Sequence, residues 1–229
     1  MFNIKKITAS LVMVVAASAA FGQGYLNFVN NANSNIYTNN TQNYLGQALS
    51  GSANGLTTGS GSAPQGYYYA LLVQSYSGTI ANNSITNLTA NNWTFGGLYA
   101  TNSLSAGREG GPTDGPVTGT SPGGSYQFAV VGWSSNESTG ANWLTVSNSL
   151  VTGTWNNPNG FVGISSVGVI ASLAGPPNAT ASTLFGASPA ITGAITLYSV
   201  TAVPEPSTMA LAALGGASLL LFRRRQSKK

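Results

Sequence analysis

The sequence contains no cysteine and no histidine. Without cysteine the chain forms no disulfide bond, so the fold depends on its core for stability. Cysteine nucleophiles, thiolate metal sites and Ser-His-Asp triads are excluded as well. We therefore expect no catalytic residue, no metal centre and no cofactor, and we expect the protein not to be an enzyme.

Charged residues make up only 5% of the chain, and most of the positive ones lie at its two ends. The basic pI of about 9.4 belongs to those ends, so it does not indicate a nucleic-acid partner. A nearly uncharged surface has little electrostatic defence against self-association, which suits a cell-surface or matrix material. The remaining charged residues are Arg108, Glu109, Asp114, Glu137 and Glu205.

Residues 1–22 have the three parts of a secretory signal peptide. Two lysines come first, an apolar segment follows, and small residues complete the pattern. Ala20 and Gly22 suit the positions before the cleavage site, which would release Gln23; cleavage after Ala19 is the alternative. A buried N-terminal helix is the alternative to secretion.

Residues 203–229 also have three parts, which are a Pro-Glu-Pro motif, an apolar segment and a basic cluster. A helix over residues 206–222 would be about 25 Å long, which is near the short limit for a membrane span. The arginines that follow it should remain cytoplasmic, with the preceding domain outside. The segment begins with Val203, Pro204, Glu205, Pro206 and Ser207, and the basic cluster is Arg223, Arg224 and Arg225.

The Pro-Glu-Pro motif, the short apolar helix and the arginine cluster together resemble the PEP-CTERM sorting signal of Gram-negative and related environmental bacteria. This resemblance implies recognition by an exosortase-type membrane protease and cleavage near Pro-Glu-Pro. It also implies transfer to the cell surface or extracellular matrix, often in association with exopolysaccharide. The expected partners are that protease, the secretion machinery and the membrane. A simple C-terminal membrane anchor is the alternative.

Residues 23–202 are expected to form one all-β extracellular domain, a β-sandwich or a jelly-roll-like fold. Short runs rich in β-branched and aromatic residues alternate with Gly, Pro and Asn turn signals. We find no convincing amphipathic helix in this range, and residues 30–66 and 106–124 read as long polar loops or edge excursions. Strands are predicted at residues 25–29, 67–76, 93–99, 125–134, 143–147, 161–171 and 194–201.

Two runs in this domain, residues 24–28 and 123–133, resemble PEP-CTERM proteins of verrucomicrobial-type bacteria. That resemblance implies a fold and a location, but it assigns no activity to any residue.

Most of the charge of the domain lies in residues 108–115. The Gly and Pro content predicts an exposed turn. Glu109 and Asp114 also permit two alternatives, a carboxylate pair for glycoside hydrolysis and a calcium-binding loop. Glu137 is expected to be a solvated turn residue.

Aromatic residues set among Asn, Ser and Thr are typical of many sugar-binding modules. Alternating aromatics in strands are also typical of a core, because each ring buries a large apolar area. Both interpretations stay open for the candidate sugar-facing residues Tyr67, Trp93, Trp133 and Trp155.

The sequence thus favours a non-enzymatic structural protein of the cell surface or exopolysaccharide matrix, reached by way of the inner membrane. A carbohydrate-binding surface module is the second hypothesis, and an extracellular hydrolase is the third.

Overall fold

The computed structural model describes residues 22–43, 55–57, 66–81, 84, 88, 93–137, 140–157, 159–175, 180–187, 190–200, 214–215 and 218. Within these ranges the chain is mostly β-strand, which confirms the expected all-β class. The strands are β1 (Gly24–Asn27), β2 (Ile36–Asn43), β3 (Gly55–Leu56), β4 (Tyr67–Ser75), β5 (Thr94–Asn102), β6 (Glu109–Gly110), β7 (Gly115–Val117), β8 (Tyr126–Ser134), β9 (Phe161–Ile164), β10 (Gly168–Ile170), β11 (Ser182–Thr183) and β12 (Ile195–Ser199).

The described strands form two sheets. The larger sheet has nine strands in the order β3-β2-β12-β9-β8-β4-β5-β6, and β10 also pairs with β8. Its pairs are antiparallel apart from β2 and β12, which run parallel. The smaller sheet has the order β11-β1-β7. Because β12 is an inner strand and comes last, the large sheet is complete only when the end of the domain is in place.

Both faces of the large sheet are covered, and the pleat of the central strands explains how. Leu71 of β4 and Val130 of β8 lie in a cluster shared with the small sheet, which we call the sheet–sheet cluster. Leu72 and Val131, the next residues along, lie in a second cluster with helix α1 (Trp143–Thr152), which we call the sheet–helix cluster. Successive side chains of a strand point to opposite faces, so these strands are apolar at nearly every position.

The prediction of a strand at residues 143–147 is wrong, because this segment begins helix α1. The Asn142 side chain accepts a hydrogen bond from the Thr145 N–H at 3.2 Å and caps the helix. Gly153 ends it in the left-handed conformation, with φ of 69°. Val146 is buried against the sheet, and this packing outweighs the modest helix propensity of a Thr-, Val- and Ser-rich segment.

The predicted strand at residues 161–171 is divided into β9 and β10 at Ser165. Both shorter strands pair with β8, and Ser165 maintains the connection between them. Its N–H donates to the Val130 carbonyl oxygen at 2.9 Å, and its Oγ accepts from the Val130 N–H at 2.9 Å. A side-chain hydroxyl thus replaces a backbone carbonyl in the middle of the sheet.

The large sheet curls until its two edges meet at Gly107. The Ile36 N–H donates to the Gly107 carbonyl oxygen at 2.9 Å, and the Gly107 N–H donates to the Thr57 carbonyl oxygen at 2.6 Å. Residues 30–66 and 106–124, predicted as loops or edge excursions, therefore include β2, β3, β6 and β7. β2, β3 and β6 belong to the large sheet, and β7 belongs to the small sheet.

Replacing Ser165 with alanine tests the hydroxyl that holds β8. We expect Ser165→Ala to lower the free energy of unfolding by about 1–3 kcal/mol, because the buried Val130 N–H loses its acceptor. Urea denaturation measures this change. The control is Ser166→Ala, which removes an exposed hydroxyl that donates to Thr192 and should cost less than about 0.5 kcal/mol. Equal losses in the two variants would contradict the role of Ser165.

Candidate functional site

The end of the folded domain determines where the C-terminal tail begins. Val200 follows β12 directly, is buried in the sheet–helix cluster, and donates its N–H to the Gly160 carbonyl oxygen at 3.0 Å. A chain extends by at most about 3.6 Å per residue, so Pro204 lies no more than about 14 Å from Val200. The domain is therefore anchored immediately before the expected processing motif.

The sorting residues themselves lie outside the described residues. These are Val203, Pro204, Glu205, Pro206, Ser207, Arg223, Arg224 and Arg225, and Ala20 of the signal peptide is outside as well. Gly22 and Gln23 are described and form a bend before β1, so cleavage between them stays a prediction. In the described part of the chain, no helix is long and apolar enough to span a membrane.

Two of the four candidate sugar-facing rings lie in the core. Tyr67 is 9% exposed in the sheet–sheet cluster, and Trp133 is 0% exposed in the sheet–helix cluster. A ring without exposed surface cannot stack on a sugar, so that expectation is wrong for Trp133, and Tyr67 is mainly a core residue. Trp93 and Trp155 are half-buried at the margin of the sheet–helix cluster, and for them the expectation stays open.

Other aromatic side chains cover the outside of the large sheet. Half-buried Tyr68, Phe95, Tyr99 and Trp143, which we call the aromatic patch, pack against the sheet–helix cluster. The ring centroids of Phe95 and Tyr99 are 4.6 Å apart, and the backbone N–H of Trp143 donates to the Tyr99 hydroxyl at 2.8 Å. The sequence signal that could have identified a member of this patch is strand alternation, which places Tyr68 on the face opposite to its neighbours Tyr67 and Tyr69.

Glu109 is not in an exposed turn, because it begins β6 and is 1% exposed. The prediction for residues 108–115 is therefore wrong at this position, although Asp114 is exposed as expected. Neither carboxyl oxygen of Glu109 makes a hydrogen bond. Burial raises the pKa of this carboxyl well above its ordinary value, and the nearby backbone amides of Asn30 and Gly111 offset only part of that effect.

The carboxyls of residues 108–115 do not form an evident ion site. Glu109 points into the core while Asp114 lies in solvent, which does not fit a shared calcium ion or a catalytic pair. Across the described ranges, no group of three or more potential metal ligands from Asp and Glu is found.

Glu137 is likewise buried, at 2% exposure, so the prediction of a solvated turn residue is wrong. Its Oε2 accepts from the Asn156 N–H at 3.1 Å, and its carbonyl oxygen accepts from the Asn156 side chain at 2.9 Å. Burial raises the pKa of this carboxyl, and the amides of Asn156 and Asn157 oppose the shift. The space that a side chain at Gly160 would need is filled by this carboxyl. Glu137 thus organises the loop beside Val200.

Sequence reasoning missed a buried polar cluster at the meeting edges of the large sheet. Its members are Thr57, Tyr69, Asn102 and Glu109, each at most 5% exposed. The Tyr69 hydroxyl donates to Asn102 Oδ1 at 3.1 Å, and Asn102 Nδ2 donates to Thr57 Oγ1 at 3.1 Å. The residues come from separate segments of the chain, and no spacing motif in the sequence predicts that they lie in contact.

The pH dependence of stability tests the burial of Glu109. Because the folded state raises the pKa of this carboxyl, the folded protein binds the proton more tightly than the unfolded chain does. We expect the free energy of unfolding to fall as pH rises above 4.5, the ordinary pKa of a glutamate, by up to about 1.4 kcal/mol per pH unit while Glu109 titrates.

Glu109→Gln should reduce this slope, leaving the smaller contribution of Glu137. Chemical denaturation between pH 4 and pH 8 measures it. Asp114→Asn is the matched control, because it removes an exposed carboxylate and should keep the slope of the natural chain. An unchanged slope in Glu109→Gln would show that Glu109 does not bind a proton on folding.

Comparison with known proteins identifies the tail. Residues 202–225 match the family model described as the PEP-CTERM protein-sorting motif, while no curated protein and no solved structure matches the chain significantly. The match covers the expected Pro-Glu-Pro motif, the apolar segment and the arginine cluster, and it begins two residues after Val200. The motif is one of exosortase-type sorting, which implies export through the membrane toward the cell surface. The chain is therefore a PEP-CTERM domain-containing protein.

Proposed function

We propose that this protein is a non-enzymatic structural component of the cell surface or exopolysaccharide matrix, delivered there by its C-terminal tail. The observation that carries the proposal is the sorting motif at residues 202–225. An almost uncharged domain supports it further, because few charges oppose association with copies of itself or with neutral polysaccharide.

Delivery follows from the order of the segments. The signal peptide, residues 1–22, directs the chain through the export channel. A helix over residues 206–222 then stops it in the inner membrane, with Arg223–Arg225 on the cytoplasmic side. An exosortase-type protease cuts near Pro204-Glu205-Pro206, where the two prolines disfavour regular structure.

The position of Val200 supports cleavage without damage to the domain. All the described strands end before residue 200, and β12 keeps its hydrogen bonds to β2 and β9 whatever happens beyond it. The processed product is thus a complete β-domain. We also propose that it is sandwich-like, because the two sheets enclose the sheet–sheet cluster between them.

The carboxyl groups favour a structural role over a hydrolase. Glu109 and Glu137 are buried, and Asp114 is exposed, so the described acids do not form a pair open to a substrate. Glycoside hydrolysis needs two carboxyl groups on either side of one bond.

A carbohydrate-binding role is the second candidate, and the aromatic patch favours it. The patch presents partly exposed rings on one face of the sheet, among residues that carry no charge. Flat apolar ring faces with polar edges are suited to stacking on sugar rings.

Processing by the protease is tested by a charge-removing substitution in the motif. We expect Glu205→Gln to block cleavage, so that protein recovered from the host retains residues up to Lys229. Intact mass and C-terminal sequencing measure this directly. The matched control Asp114→Asn removes an exposed carboxylate outside the motif and should be processed normally, ending near residues 204–207. A natural chain that retains its arginines would contradict the sorting proposal and indicate a permanent anchor.

Sugar binding is tested by tryptophan fluorescence during titration with the polysaccharide of the host. If the aromatic patch binds sugar, the natural chain should show a saturable change, and Trp143→Phe should weaken binding by about 1–2 kcal/mol. Trp133→Phe is the control, because its buried ring contributes to the spectrum without contacting a ligand. A natural chain without any polysaccharide-dependent change would contradict this second role.

A further inference from the structure

The buried polar cluster contains one group that its hydrogen bonds leave unexplained, the Glu109 carboxyl. The cluster places a hydroxyl, a carboxamide, a phenol and a carboxyl group together in the buried interior at the meeting edges of the large sheet. Burying polar groups is costly unless they are paired, and the Glu109 carboxyl oxygens have no hydrogen-bond partner. Ionisable groups held in this way mark candidate reactive sites.

The hydroxyl and the carboxamide are in direct contact. Asn102 Nδ2 donates to Thr57 Oγ1 at 3.1 Å, and the Thr57 hydroxyl donates to the Ile36 carbonyl oxygen at 3.3 Å. Holding two reactants this close removes much of the entropic barrier to their reaction. Thr57 follows the edge strand β3, and Asn102 ends β5, which lies next to the opposite edge strand β6.

The phenol of Tyr69 is placed to polarise the amide. Its hydroxyl donates to Asn102 Oδ1 at 3.1 Å. Burial raises the pKa of Tyr69, so the hydroxyl retains its proton. A donor on this oxygen stabilises the negative charge that develops when a nucleophile attacks the carbonyl carbon, most strongly where water is excluded.

Glu109 is placed to move protons. It lies directly opposite Asn102 in the β5–β6 pair, which brings the two Cβ atoms to about 4.5–5.5 Å. Its oxygens make no hydrogen bond in the observed geometry, so the carboxyl must turn toward Thr57 and Asn102 to take up a proton and return it. Arg108 does not neutralise it in the observed geometry, since the guanidinium donates to the Asn30 carbonyl oxygen at 3.0 Å.

We propose that Thr57 and Asn102 form an intramolecular ester cross-link once the domain has folded. Glu109 takes the proton from the Thr57 hydroxyl, and Oγ1 attacks Cγ of Asn102. The C–N bond of the amide then breaks, and Glu109 gives its proton to the departing nitrogen. One ester and one ammonia form from one hydroxyl and one carboxamide, with no oxidant or added reagent.

The cross-link fits the needs of this domain. It covalently joins the end of edge strand β3 to β5 where the curled sheet closes at Gly107. A chain without cysteine has no disulfide for this purpose, and a covalent link between distant residues restricts the unfolded state in the same way. The inference does not depend on the sorting proposal, because it concerns only the folded domain.

Mass spectrometry of the full chain tests the proposal. The folded protein should be about 17 Da lighter than its sequence predicts, which is the mass of one ammonia. Succinimide formation at Asn54-Gly55 or Asn159-Gly160 would give the same loss. The decisive measurement is therefore a peptide map after pepsin digestion in acid, in which the peptides containing Thr57 and Asn102 should be recovered as one linked species. Mild base should separate them and leave aspartate at position 102.

Three variants separate the reaction from the fold. Thr57→Val removes the nucleophile while keeping its shape, and the linked species should disappear. Glu109→Gln removes the proton carrier, and cross-linking should slow by about 10²–10⁴-fold. Thr120→Val is the matched control, because Thr120 is also buried and hydrogen-bonded but has no carboxamide contact, and it should keep the cross-link.

Separate peptides from the natural chain, with Thr57 and Asn102 unmodified in protein that unfolds cooperatively, would overturn the proposal. This outcome is decided on the natural chain, so it does not require that any variant folds. Linkage that persists in Glu109→Gln at the natural rate would overturn the role of the carboxyl group.

Discussion

Hydrophobic packing on both faces of the nine-stranded sheet is the interaction on which the rest of the structure depends. The central strands β4 and β8 bury side chains in two directions, against the small sheet and against helix α1. Buried apolar surface contributes roughly 25 cal/mol per Å². The chain has no cysteine and few charges, so this packing and the backbone hydrogen bonds stabilise the fold. Hydroxyl and amide side chains complete the hydrogen bonding where strands break, as Ser165 does beside Val130.

The place of β12 connects the fold to delivery. An inner strand at the end of the domain means that the sheet is finished only after nearly the whole domain has been exported. Only three residues separate Val200 from Pro204, so the expected processing motif follows the folded sheet closely in the chain. Glu137 and Gly160 support this end of the domain. The Gly160 carbonyl oxygen accepts a hydrogen bond from the Val200 N–H, and the Glu137 carboxyl fills the space that a side chain at Gly160 would occupy. The described fold is thus compatible with removal of everything beyond residue 203.

The few carboxyl groups of the domain are used in an unusual way. Two of them are buried, although solvation strongly favours exposed carboxylates. Glu137 receives backbone hydrogen bonds that partly compensate for burial, whereas Glu109 receives none of normal geometry. That difference separates the carboxyl group that organises a loop from the one that we propose takes part in the Thr57–Asn102 cross-link. It also explains why the buried polar cluster, and not the exposed acid Asp114, is where chemistry is expected in this domain.

The sequence by itself determined the C-terminal sorting motif, the all-β class and most of the strands, because these depend on local patterns. A sorting segment is recognised from the order of its prolines, apolar residues and arginines along the chain. A strand is recognised from a short run of β-branched and aromatic residues. Tertiary structure alone decided that residues 143–152 form a helix, since caps and the packing of Val146 outweigh local propensity. It also decided which face each ring occupies, burying Trp133 and leaving Tyr68 half-exposed. The contact of Thr57 with Asn102 arises only when the curled sheet brings its edges together, and no local pattern encodes a meeting of residues so far apart in the chain.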